Sequence, residues 1–387
     1  MKVHFGALPG LLVALAVGCG GGDDGAGAPA PAGGGDNGAL KPILGAGAER
    51  VEVIYTPPAA RSATDLAFNT AWPSELWVLL REFPTEEPCT SDVRTGCSAL
   101  IGRTVIFADA TAEAPQAVVK TDPNAWHFMR RPTSIAFGPD GLFATCHEAR
   151  TGNFLDEVAD YIGPTLWTSD PEIYAIEPPG KNGSHLDMLH ATPFCMGIAH
   201  EQDNVYWAFN GDIGALDRYD FAEPHEVGGD DHSDGSVWRY VEGEVERVAE
   251  VPSHMVLDGA SRRLYVADTG HARVVAVDID AGEVGDEIEV YDPMVEHRRM
   301  EGVELEEVVP PGVLQAPSGI ELHAGVLYVG DHATGVIHAF DLEGRSLGTL
   351  DTGLGSEALS GIAVGPDERL YFLDAASGRV LRSGTAD

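Results

Sequence analysis

The sequence predicts an all-β fold: a six-bladed β-propeller with long inter-strand insertions, preceded by a flexible tether. Three observations predict it. Short apolar strands alternate with Gly, Asp and Asn turns along most of the chain, the mark of antiparallel meanders. No stretch sustains a 3.6-residue apolar period beyond a turn or two. One pattern, a turn residue followed by a short apolar strand, recurs through the body.

Residues 1–18 read as an export signal. Lys2 gives a positive start, and Ala7 to Val17 form an apolar stretch. A bilayer span needs about 20 such residues, so this stretch is too short to cross and suits a signal core. It ends in Ala16-Val17-Gly18-Cys19, which resembles the lipobox of bacterial lipoproteins. That resemblance implies cleavage before Cys19, a palmitate-type lipid on it, and anchoring in the bacterial cell envelope. Gly20 stands where an Asp would retain the protein at the inner membrane, so the outer membrane is preferred. Membrane contact is then through the N-terminal lipid only. Residues 19–48, rich in Gly, Ala and Pro, read as a tether, and 49–387 as the propeller.

The recurring segments are ATDLAF (63–68), PTSIAF (132–137), CMGIAH (195–200), PSHMVLD (252–258), PSGIEL (317–322) and LSGIAV (359–364). Their registers anchor on Leu66, Ile135, Ile198, Val256, Ile320 and Ile362. Most are followed by a turn and a strand such as RRLYVAD, then a third such as RVVAVDID. A lone four-stranded sheet cannot bury both faces, whereas sheets closed around a channel can. A β-sandwich gives no reason for six similar starts.

PSHMVLDGASRRLYVADTGHARVVAVD and APSGIELHAGVLYVGDHATGVIHAFD resemble NHL repeats, and LSGIAVGPDERLYFLDAASGRVLRS fits as well. The resemblance is good over 250–387, fair over 130–240 and poor for the first blade. NHL-like propellers include interaction modules and enzymes, among them the peptidyl-hydroxyglycine amidating lyases. Likeness to those lyases would imply a zinc held by three channel histidines, plus a calcium. Only His254 stands at a repeat start here, which counts against the lyase.

The chain carries 61 Asp+Glu against 24 Lys+Arg, a net charge of -37. Such a surface repels phosphate backbones and anionic headgroups, which excludes nucleic-acid binding and polybasic membrane docking. Export implies an oxidising compartment, where the other four cysteines can pair. Four cysteines allow three pairings; proximity and repeat register favour Cys89 with Cys97 and Cys146 with Cys195.

Sites gather where inner strands begin and long loops converge at the channel mouth. Candidate ligand-binding residues there are His127, Arg130, Ser134, His190, Met196, Ser318 and Ser360. Arg130, with Arg131, would either clamp an anion or pair with the acidic surface. The densest polar cluster, PHEVGGDDHSDG (224–235), offers His225, Asp230, Asp231, His232 and Asp234 as metal ligands, with His254 on the channel. Carboxylates on a Gly-rich loop suit calcium, and added imidazole moves the preference toward zinc or manganese. The competing reading is a solvated acidic turn capped by its own side chains. His185, Met188, His190, Cys195 and Met196 form a soft cluster suited to copper, or ordinary core. Asp268, Asp331 and Asp374 recur at strand ends and read as turn braces. No GxSxG elbow, Walker loop or CxxCH haem site appears, and no organic cofactor is evident. The expected molecule is a monomeric binding module for a small molecule, peptide or envelope protein, with a divalent cation (calcium or zinc). The alternative is a metal-dependent lyase or hydrolase on the same scaffold.

Overall fold

The computed structural model describes residues 40–44, 51–59, 61–82, 101–153, 155, 161–289 and 294–384. The lipobox with Cys19, and Cys89 with Cys97, lie outside the described residues. Six sheets build the body, each with an antiparallel four-stranded blade. From axis to rim, blade one pairs Ser62–Phe68, Leu76–Arg81, Arg103–Phe107 and Ala117–Lys120. Blade two pairs Pro132–Phe137, Leu142–His147, Thr165–Thr168 and the short Asp187–Met188. Blade three pairs Cys195–Gln202, Val205–Asn210, Ala215–Asp220 and Ser236–Tyr240. Blade four pairs Met255–Asp258, Arg263–Asp268, Arg273–Asp278 and Leu305–Val309. Blade five pairs Pro317–His323, Val326–Asp331, Val336–Phe340 and Ser346–Asp351. Blade six pairs Leu359–Val364, Leu370–Asp374 and Arg379–Arg382 with an outermost strand from the other end of the chain, Glu52–Tyr55.

Each inner strand touches the next around the ring, and blade six returns to blade one. Blades one and four therefore face each other across the axis. The repeated inner sequence explains how the ring closes so tightly. Its third position is Gly197, Gly319 and Gly361 in blades three, five and six. A Cβ at Gly197 would lie 2.0 Å from the Ser253 carbonyl, and one at Gly319 2.3 Å from that of Ser360. A Cβ at Gly361 would lie 2.8 Å from Asp65 Cα. The second position staples neighbours: Thr133 Oγ1 donates to the Cys195 carbonyl and Ser360 Oγ to that of Ala63.

The cores lie between blades. Trp77 and Trp167 pack with Phe137 and Phe143 between blades one and two. Trp207 and Tyr240 pack with Leu264 and Val275 between three and four. A disulfide joins Cys146, on the second strand of blade two, to Cys195 at the start of blade three. Asp268, Asp331 and Asp374 brace turns, Asp331 by accepting the amides of Gln315, Ala316 and Ala333. The insertion in blade four does not stay there. Its hairpin, Glu283–Glu287 with Glu296–Glu301, crosses to blade three and adds Glu296–Glu301 parallel to Ser236–Tyr240. Within the span read as tether, Ile43 and Leu44 pack beside blades five and six, and the Ile43 amide donates to the Tyr328 hydroxyl at 2.7 Å.

Candidate functional site

The third position of the inner strands forms a layer around the axis: Asp65, Ser134, Gly197, His254, Gly319 and Gly361. Register places Met255, not Val256, opposite Val266, so blade four sits one residue earlier than the repeat anchors suggest. The fifth position forms the next layer: Ala67, Ala136, Ala199, Val256, Glu321 and Ala363. Glu321 is the sole charge in that layer. Asp65, Ser134 and His254 of the first layer and all of the second line a cavity of about 360 Å³ that continues to Phe68, Phe137, His200 and Val364 at the strand ends.

Asp65 is buried and richly held. Its carboxylate accepts Ser134 Oγ at 2.7 Å and the amides of Ile135 and Leu66, and stands 3.4 Å from His254 Nδ1. Burial still pushes its pKa up, against the pull of His254. His254 Nε2 completes its bonding on the Thr133 carbonyl at 3.1 Å. Glu321 has no hydrogen-bond donor among the described residues. Burial, reinforced by the Asp65 charge, pushes its carboxyl up to about 8. An unbalanced carboxylate on an otherwise small, apolar wall suits a ligand that brings a cation or a hydrogen-bond donor.

At the end where inner strands begin, an ion network spans the ring. Arg81 Nη1 meets Glu148 at 2.8 Å, and its Nη2 meets the Glu250 carboxylate at 3.1 Å and the Glu250 carbonyl at 2.9 Å. Arg131 pairs with both glutamates, and Arg247 reaches Glu148 at 3.3 Å. Glu250 precedes blade four while Arg81 ends a strand of blade one, so these bonds cross the axis. Outside them lies a second cavity lined by Ser62, Arg81, Glu250, His332 and Glu357.

A third feature sits away from the channel. Loop 224–235 docks on the outer part of blade two: the His225 amide donates to Leu186, and the Gly228 amide to the His185 carbonyl at 2.8 Å. Docking gathers His185, His225 and His232, whose ligand-capable atoms lie within 4.8 Å of one another. His185 Nδ1 donates to the Asn182 carbonyl and His225 Nδ1 to the Glu226 carbonyl, while His232 Nδ1 lies 2.8 Å from Asp187 Oδ1 and 3.3 Å from the Met188 amide nitrogen. Burial lowers His185 to about 2 and also lowers His225, so both imidazoles are neutral. His190 continues the row, its ring 6.4 Å from His232 and 6.2 Å from His127.

Sequence candidates divide accordingly. His225 and His232 come together, joined by His185. Asp230, Asp231 and Asp234 are exposed; Asp231 caps Ser233 and Asp234 accepts the Glu223 amide. His254 and Ser134 line the channel, whereas Met196, Ser318 and Ser360 are buried beside it. Arg130 is buried against the carbonyls of Trp126, Thr151 and Gly152; its neighbour Arg131 joins the ion network. Of the soft cluster, Cys195 is in the disulfide and Met188 and Met196 lie in the core. Glu321 belongs to no site motif of the sequence, although it is the odd residue of its layer across the six repeats.

No helix among the described residues is long and apolar enough to cross a membrane. No family model and no curated protein matches the chain. Solved structures match in fold. An auxiliary nutrient-binding protein from Bacteroides thetaiotaomicron is 11% identical, with 85% of this chain and 70% of that one covered and a TM-score of 0.52. Its counterpart from Bacteroides ovatus is 14% identical over 86% and 72%, at 0.50. A calcium-binding protein, regucalcin, from Agrobacterium tumefaciens is 13% identical over 89% and 96%, at 0.51. The likeness is one of fold: a six-bladed propeller.

Proposed function

We propose that this protein is a lipid-anchored envelope propeller of NHL type that works as a binding module and carries a divalent cation. Its channel ligand is a small molecule with an apolar body and a positively charged amine. One observation carries this reading: Glu321 faces the channel cavity with no counter-charge, amid alanines and valine. The auxiliary nutrient-binding proteins from Bacteroides that share the fold are in keeping with a binding role. The test is titration calorimetry with benzylamine, cyclohexylamine and hexylamine between pH 6 and 9. Binding should strengthen as Glu321 ionises and vanish in Glu321→Gln. No heat with any amine, or equal binding by the variant, overturns the channel reading. Anchoring is tested separately: Cys19→Ala should leave the membrane fraction. A metal-dependent lyase or hydrolase is the second reading, favoured by the three clustered histidines.

A further inference from the structure

The divalent cation of that reading can be given a place and an identity. We infer that His185, His225 and His232 bind a zinc ion off the propeller axis, clamping loop 224–235 onto blade two; this rests on the cation-carrying reading above.

The free ring nitrogen of each histidine decides what the cluster can bind. A carbonyl oxygen can only accept, so the Nδ1 atoms of His185 and His225 carry the protons in their bonds to Asn182 and Glu226. Each Nε2 then keeps its lone pair. Both Nε2 atoms are buried and find no partner. Leaving two such acceptors unsatisfied is costly unless something occupies the space between them. His232 Nδ1 is held by Asp187 Oδ1 and also faces the Met188 amide; a carboxylate on one ring nitrogen is the pairing that orients a metal-binding imidazole. The other oxygen, Asp187 Oδ2, is itself buried and unpartnered.

Further contacts fix the first ring. His185 stacks on Phe128, with centroids 3.6 Å apart. The adjoining Ser184 is tied to Asp122 through its amide and hydroxyl. The site is thus prepared on the blade-two side and completed by the docking loop.

Donor type selects the metal. Three imidazoles offer nitrogen only, whereas calcium demands six to eight oxygens. Zinc takes imidazole at about 2.0–2.1 Å in tetrahedral geometry, and one ligand-capable nitrogen from each ring already lies within 4.8 Å of the others. Three ligands leave one tetrahedral position for water. Because the ligands come from segments some 40 residues apart, binding ties the loop down as well as filling the site.

The test uses the full chain, purified without chelator, dialysed against zinc and then against zinc-free buffer. Elemental analysis should find one zinc per chain, undiminished by a tenfold excess of calcium. His225→Gln and His232→Gln should each fall below about 0.2 per chain, while His254→Ala keeps the full content. X-ray absorption of the unmodified protein, which needs no variant to fold, should show an imidazole shell. Zinc below 0.2 in the unmodified chain, an oxygen-dominated shell, or loss of zinc only in His254→Ala overturns the inference. Amine binding in the channel is read independently, so failure of the zinc site and failure of the channel reading give different results.

Discussion

Asp65 of blade one and His254 of blade four meet across the propeller axis at 3.4 Å. The same carboxylate holds Ser134 and Ile135 of blade two, so one side chain binds three blades. Asp65→Ala would strand a buried hydroxyl and an amide, at a cost of about 3 kcal/mol. Asp65→Asn retains an acceptor and should cost less. Urea midpoints measured at constant m-value check the difference; equal losses would mean that these bonds contribute little.

Glu321 makes stability fall with rising pH. Its folded pKa, about 8, exceeds the ordinary 4.5. Between those values the folded protein holds a proton that the unfolded chain has released. Stability is therefore fully present below about pH 4.5 and is lost up to pH 8, by at most about 1.4 kcal/mol per unit from this group. Glu321→Gln should remove that component of the slope, as read from urea curves at pH 5, 6.5 and 8.

The two members of the axial ion pair should respond unequally to mutation. Glu148 is 4% exposed and Arg81 1%. Glu148→Ala leaves the Arg81 charge buried with only the half-exposed Glu250, and should cost about 3–5 kcal/mol. Arg81→Met fills the space with an apolar chain while Arg131 and Arg247 still serve Glu148, so its cost should be smaller. Chemical denaturation of the two variants gives the order.

Gly197→Ala places a methyl group 2.0 Å from the Ser253 carbonyl. Backbone on the neighbouring blade must move, so a loss of about 2 kcal/mol or more is expected. Gly259→Ala, with nothing near its Cβ, should be close to neutral. Melting temperatures of the pair distinguish ring packing from general loss of glycine.

The repeats were legible because every inner strand couples a turn residue to β-branched neighbours, and that coupling survives insertions. Cys146 and Cys195 could be paired on the same register. The crossing hairpin at 283–301 was not legible, since chain order assigns it to blade four and only its parallel pairing with Ser236–Tyr240 reveals its host. His185 stood beside Met188 and Cys195 in sequence and suggested copper. Its neighbours His225 and His232 arrive some 40 residues later through the Gly228–His185 backbone bond. Chain proximity was a poor guide there, because the strands between them point their side chains elsewhere.

Blade six is completed by Glu52–Tyr55, which precedes blade one, pairing with Arg379–Arg382, which follows the inner strands of blade six. An emerging polypeptide can therefore assemble the intervening sheets one after another but cannot shut the circle. Until the final strands appear, the first blade waits with one flank uncovered. Once they do, peeling away Glu52–Tyr55 bares Arg379–Arg382, and removing Arg379–Arg382 leaves Glu52–Tyr55 without a partner. The two segments thus share a single latch, and deleting Arg379–Arg382 should disable it as thoroughly as deleting Glu52–Tyr55.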